Sequence, residues 1–160
     1  MIFVTIGTQE PFDRLIKTVD EFAPELNGMP IVAQVFNSTY KARNMKTFDF
    51  LTPKEFEDYF QQASLIISHA GMGTIISALT IAKPIVIVPR QVKYHEHRND
   101  HQMATAKRFE ALGYVNVVYE EQHLKAKVLE MLQTNGQAKH TIGNVASNNL
   151  IDSIRAFISS

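Results

Sequence analysis

An α/β fold, a parallel sheet of about six strands with helices on both faces, is predicted by three observations. The first is the segment Leu65–Pro89, LIISHAGMGTIISALTIAKPIVIVP. Its two apolar, β-branched runs, Leu65–Ser68 and Ile85–Val88, bracket a glycine turn, Gly71-Met72-Gly73-Thr74, and helix formers that reach Ala82. Strand, tight turn, helix and second strand make a βαβ unit. The second is that strand-like and helix-like runs alternate along the chain. The third is size: 160 residues at 45% hydrophobic content are enough for one domain, residues 1–160, with a real core.

Taken in order, Met1–Ile6 reads as a strand and Gly7-Thr8-Gln9 as the turn after it. Pro11 suits a first helical turn, and Phe12, Leu15, Ile16, Val19 and Phe22 carry the helical spacing. Pro30–Phe36 is a second strand and Thr47–Leu51 a short third. Thr52 and Glu55 form a capping box for a helix from Pro53 to about Ala63. After the βαβ unit, His95–Asp100 is a polar loop and Asp100–Leu112 a helix stopped by Gly113. Tyr114–Tyr119 is the sixth strand. Glu121–Leu132 and Val145–Ile158 are amphipathic helices, separated by a polar stretch around Asn135-Gly136.

Composition narrows the function. Sixteen basic and sixteen acidic residues cancel, whereas nucleic-acid binders usually carry a basic excess, so nucleic acid is not an expected partner. No basic run addresses an anionic membrane surface. Without cysteine, disulfides and thiolate metal sites are impossible. Met1–Ile6 lacks the features of a signal peptide, which favours a cytoplasmic location. Leu65–Pro89 is long enough to cross a bilayer, but His69, Lys83, two glycines and Pro84 interrupt it, and Ile85–Val88 makes a better strand.

In an open α/β sheet the ligand sits beyond the carboxyl ends of the strands, so Gly7–Gln9, Phe50–Thr52, His69–Thr74 and Arg90–Gln102 should converge. The glycine turn at Gly71–Thr74 places unpaired N–H groups and the positive end of a helix dipole at a strand end, an anion site suited to phosphate. Gly7-Thr8-Gln9 is either an ordinary βα turn or a second loop for the same phosphorylated ligand. Neither is GxGxxG or a Walker loop. His69 either bonds neighbouring backbone or lies near a ligand phosphate. Arg90 is either a phosphate fork or a surface arginine. Tyr94–Gln102 is a solvated loop, a ligand-facing donor set, or a metal site through His97 and His101, although it is not HExxH. No serine sits in a GxSxG elbow. Neither a metal nor a cofactor is expected.

Four stretches carry a resemblance: Val4-Thr5-Ile6-Gly7-Thr8-Gln9 with Pro11–Leu15, Ile67-Ser68-His69-Ala70-Gly71-Met72-Gly73-Thr74, Lys83-Pro84-Ile85-Val86, and Glu96–Gln102. Together they resemble the small subunits of two-component bacterial polysaccharide glycosyltransferases. These are similar to the C-terminal, donor-binding half of family 28 glycosyltransferases. The resemblance runs from Met1 to about Gln122.

It implies half of a GT-B enzyme: one Rossmann-like domain that binds a UDP-sugar. The partner is a membrane-anchored subunit resembling the acceptor-binding half, which recruits this chain to the inner face of the membrane. The acceptor is a sugar on a polyprenyl diphosphate, and the product is an exopolysaccharide or capsule precursor. By position, Gly7, Thr8 and Gln9 match the first diphosphate loop, and Phe50 and Leu51 the stretch that reads uracil. Gly71, Gly73 and Thr74 match the second diphosphate loop, and His101 and Gln102 the pair that meets the donor sugar. Ser77 stands where the family has a ribose-gripping glutamate, and loses its charge-assisted contact.

On this reading His69 or Arg90 adds positive charge at the leaving diphosphate, and the general base comes from the partner, with His69, Glu96 and His97 as fallback catalytic candidates. The alternative is a non-catalytic nucleotide-binding or regulatory subunit that stabilises a membrane partner. An apolar face is expected at the subunit cleft and on the last helix (Leu150, Ile151, Ile154, Phe157, Ile158), packed on its own domain or on a partner. Unpartnered, such a face favours homo-oligomers.

Overall fold

A computed structural model describes residues 1–134. Its elements are β1 (Ile2–Thr5), α1 (Asp13–Phe22), β2 (Ile31–Gln34), β3 (Lys46–Phe48), α2 (Pro53–Gln62), β4 (Leu65–His69), α3 (Met72–Thr80), β5 (Ile85–Val88), α4 (His101–Ala111), β6 (Asn116–Val117) and α5 (Leu124–Gln133). The expected helix over Val145–Ile158, with its apolar positions, lies outside the described residues.

All strand pairings are parallel, in the order β3-β2-β1-β4-β5-β6. The central strands β1, β2, β4 and β5 are buried on both faces, whereas the edge strands β3 and β6 are more exposed. Ile2, Val4, Leu65, Ile67, Val86 and Val88 join a core with residues of α1 and α5, such as Leu15, Ile16 and Val128. Phe3, Ile66, Ile85 and Ile87 join a second core with Phe60 of α2, Ile75 of α3 and Phe109 of α4. The sheet therefore has helices on both faces, the α/β Rossmann-like arrangement expected. Leu65–Pro89 folds as the βαβ unit β4-α3-β5, and among the described residues no helix is long and apolar enough to cross a membrane.

Local chemistry sets several ends. Thr52 Oγ1 accepts from Glu55 N (3.2 Å), and Glu55 Oε2 accepts from Thr52 N (2.8 Å), closing the capping box of α2. Gly113, at φ +75°, ends α4: its N–H bonds Glu110 O and the N–H of Tyr114 bonds Phe109 O, a Schellman motif. Ala82 plays the same part after α3 at φ 54°, with Ala82 N–H on Leu79 O and Lys83 N–H on Ala78 O. Lys83 Nζ then caps the end of α2, donating to Gln61 O (2.9 Å) and Ala63 O (2.7 Å).

Some boundaries differ from the sequence reading. Helix α1 opens at Asp13, not Pro11, because Phe12 supplies the first accepting carbonyl, to Leu15 and Ile16. The third strand is Lys46–Phe48, in register with Val32–Gln34, and leaves Phe50 and Leu51 to the turn before α2. The sixth strand shrinks to Asn116–Val117, the length over which it finds β5 as a partner. Helix α5 starts at Leu124, after a single 3-10 turn over Glu121–His123.

Candidate functional site

The strand order reverses between β1 and β4, and a doubly wound sheet opens its ligand crevice at such a switch point. A cleft of about 470 Å³ lies there. The loop after β1 contributes Gly7, Thr8, Gln9 and Glu10. The turn between β4 and α3 contributes His69 to Thr74, and Arg90, His97, His101, Gln102 and Thr105 form the far wall.

Both glycine turns are built around His69. A Cβ on Gly71 would stand 2.5 Å from His69 Nε2, and one on Gly7 3.1 Å from the same atom. Gly7 also holds φ +75°, where a side chain is strained. Gly73 differs: nothing lies within 4 Å of a Cβ there, so its face is open. The position of the Gly7 loop is set from β2, where the buried Gln34 donates to Gly7 O (2.8 Å) and accepts from Thr5 Oγ1 (2.9 Å).

Arg90, only 3% exposed, sits behind the imidazole. Its Nη1 meets His69 Nδ1 at 2.9 Å, and its Nη2 donates to Ile6 O (2.7 Å) and Glu10 O (2.5 Å). The guanidinium lies 5.0 Å from the Phe12 ring centroid. Gln102 closes the third side: its Oε1 accepts from Ala70 N (3.3 Å) and Arg90 N (3.0 Å), and its Nε2 lies 3.3 Å from His69 Nδ1. Burial, then the charge of Arg90 and that of His97, push the His69 pKa down to about 3. Burial also lowers Arg90, to about 10, which leaves it charged at neutral pH. His69 is thus neutral, and the positive charge expected of it belongs to Arg90.

The N-terminus of α3 opens into the same space. Gly71 is its cap, no acidic residue occupies its first turn, and the amides of Met72, Gly73 and Thr74 precede the first intrahelical donor, Ile75 N, which bonds Gly71 O at 3.1 Å. Free amides, a helix dipole and a nearby buried cation suit a polyanion such as a diphosphate.

The cleft brings together Gly7, Thr8, Gln9, His69, Gly71, Gly73, Thr74, Arg90, His97, His101 and Gln102. It does not include Phe50, which is 62% exposed beyond β3, or Leu51, which is buried in the core of α2 and α3. Ser77 lies about one and a half turns into α3 and lines a separate groove with Phe56, Glu57 and Phe60 of α2. Glu96 is committed elsewhere: Arg14 grips it at 2.8 and 3.0 Å, and Gln91 N donates to it at 3.1 Å. His97 and His101 share the wall, but among the described residues no three His, Cys, Asp or Glu side chains assemble into a metal site. Sequence reasoning missed Gln34, Glu10 and Thr105. A polar residue ending an apolar strand flags Gln34, and Thr105 lies one helical turn after His101.

Residues 1–154 match the glycosyltransferase family 28 C-terminal domain. Two relatives are the UDP-N-acetylglucosamine transferase subunits ALG13 of Mus musculus and Homo sapiens. The first is 32% identical over 123 residues, covering 71% of this chain and 10% of that one. The second is 31% identical over 150 residues, covering 86% and 12%. The N-acetylglucosamine transferase of Legionella pneumophila that acts on N-acetylmuramyl-(pentapeptide) pyrophosphoryl-undecaprenol is 34% identical over 92 residues, 57% of this chain and 24% of that one. The chain thus spans about an eighth or less of the ALG13 proteins and about a quarter of the Legionella enzyme. In fold it is similar to the NMR structure of ALG13 (TM-score 0.64, 23% identity, 93% of both chains covered). It is also similar to UDP-GlcNAc 2-epimerase from Neisseria meningitidis (TM-score 0.60, 14% identity, 97% of this chain and 44% of that one). The chain belongs to the glycosyltransferase family 28 C-terminal domain family, with the α/β architecture of the C-terminal half of GT-B glycosyltransferases.

Proposed function

We propose that this chain is the donor-binding half of a two-part UDP-sugar glycosyltransferase, and that the cleft between β1 and β4 holds the donor diphosphate. The observation that carries this reading is the convergence of the open α3 N-terminus, both glycine turns and the Arg90–His69 pair on one cleft. The donor sugar favoured by the relatives' names is N-acetylglucosamine.

As the bond from the anomeric carbon to the diphosphate oxygen breaks, negative charge grows on the leaving UDP. The α3 amides and the Arg90 charge lie ready to stabilise it. The acceptor hydroxyl oxygen forms the new bond to the anomeric carbon and gives its proton to a base. Glu96 is held by Arg14, so that base belongs to the partner wall, with His97 and His101 as the neighbouring polar groups. The partner is a membrane-anchored, acceptor-binding subunit that brings this cytoplasmic chain to the membrane. The acceptor is a lipid-linked sugar, and an exopolysaccharide or capsule precursor is the product implied by the bacterial resemblance. Phe50, Leu51 and Ser77 lie outside this cleft, so uracil and ribose contacts through them are carried by the family resemblance alone.

Gly73→Leu tests the reading, because a Cβ at Gly73 meets nothing within 4 Å and its face is open to the cleft. Calorimetry with UDP and UDP-N-acetylglucosamine should show binding to the wild type and its loss in the variant, with an unchanged melting profile. Full retention of binding by Gly73→Leu contradicts the diphosphate site.

A further inference from the structure

We propose that Arg90 is the positioning residue of the cleft: with Gln102 it holds His69 as the tautomer that donates from Nε2, and it pins the Gly7 loop beside that ring. The consequence for donor binding rests on the reading above, but the tautomer lock is a property of the free protein. A guanidinium has only donors, so the Nη1 at 2.9 Å requires His69 Nδ1 to be the acceptor. Gln102 makes the same demand. Its Oε1 serves two backbone N–H groups, so its NH₂ must face Nδ1; a flipped amide would set donors against donors. The proton therefore sits on Nε2, the atom that faces the two glycines.

The other end of the fork fixes the loop. Nη2 holds the carbonyls of Ile6 and Glu10, which flank Gly7-Thr8-Gln9, so one side chain sets both the imidazole and the loop beside it. The charged groups acting on His69 are Arg90 and His97; Glu10 and Glu96 act on Arg90, and His101 lines the same cleft. His69 is thereby a fixed N–H donor across the range in which histidines ordinarily titrate, with permanent charge held behind it.

The test is long-range ¹H–¹⁵N correlation of the histidine rings in the free wild-type protein. His69 should show a protonated Nε2 and a bare Nδ1, unchanged from about pH 5 to 8. A protonated Nδ1, or titration near the ordinary value, overturns the proposal. In Arg90→Met, His69 should mix tautomers or titrate within that window, and UDP affinity should fall about tenfold or more and become pH-dependent. A folded Arg90→Met with an unaltered His69 spectrum overturns it as well. If the variant does not fold, the wild-type spectrum decides. The expected spectrum without UDP binding to the wild type rejects the donor site and leaves the Arg90–His69 coupling standing.

Discussion

Gly71 has no room for a side chain, because His69 occupies it. Gly71→Ala should therefore displace the imidazole and cost about 1–3 kcal/mol by overpacking, read as a lower urea midpoint. If Gly71 served only as an open helix cap, alanine there would leave the His69 ring resonances unmoved. The two glycines were legible as a phosphate-type signal, but the reason they must be glycine was not. The requirement comes from a ring lying between two turns that are 64 positions apart, and no local pattern encodes that. Arg90 shows the same limit. Its position after a strand end was legible, whereas its bond to Ile6 O joins residues 84 apart.

At the scale of elements, local rules were enough where the structure obeys local rules. The capping box at Thr52, the glycine stop at Gly113 and the βαβ unit were all readable. Ala82 was not, because it takes a left-handed conformation that alanine disfavours. Ala82→Gly should relieve that strain and raise stability by about 0.5–1 kcal/mol after the entropy cost of glycine, seen as a higher melting temperature. A fall would show that the Ala82 side chain contributes packing there. The loop between β5 and α4 depends on a contact that sequence spacing hides. Arg14 of α1 binds Glu96 in a forked pair whose side chains are 13% and 9% exposed, and also reaches Glu121 (3.1 Å). Glu96→Gln should cost about 1–3 kcal/mol and speed amide exchange over residues 91–100. Loss of transfer with unchanged exchange would instead mark Glu96 as the catalytic base.

The whole molecule carries a signature of the buried histidine. The folded pKa of His69 is about 3 against an ordinary 6.5, so the unfolded chain binds up to one more proton between those two values. Stability from this group is present above the ordinary value and declines as pH falls towards 3, by at most about 1.4 kcal/mol per pH unit. Asp13 is shifted the opposite way relative to its charge: despite burial, hydrogen bonds from Ser38 and Thr39 hold its carboxyl below the usual range, so it adds to acid sensitivity only near and below pH 4. Unfolding at pH 5 should therefore take up close to one proton more than unfolding at pH 8, and His69→Gln should remove that uptake. An uptake unaffected by His69→Gln would place the titrating group elsewhere. A parallel sheet with helices on both faces followed from the alternation of apolar runs; the strand order, and with it the switch point between β1 and β4, came from the structure. The separation of Phe50, Leu51 and Ser77 from the cleft did not follow from that alternation either, because it depends on how α2 and α3 pack. A diphosphate site between β1 and β4 is tested by a backbone amide NMR titration of the chain with UDP. Saturable shifts at Thr8, Gln9, Gly71, Gly73 and Thr74 are expected; saturable shifts confined to residues outside this cleft, or none at millimolar UDP, would contradict it.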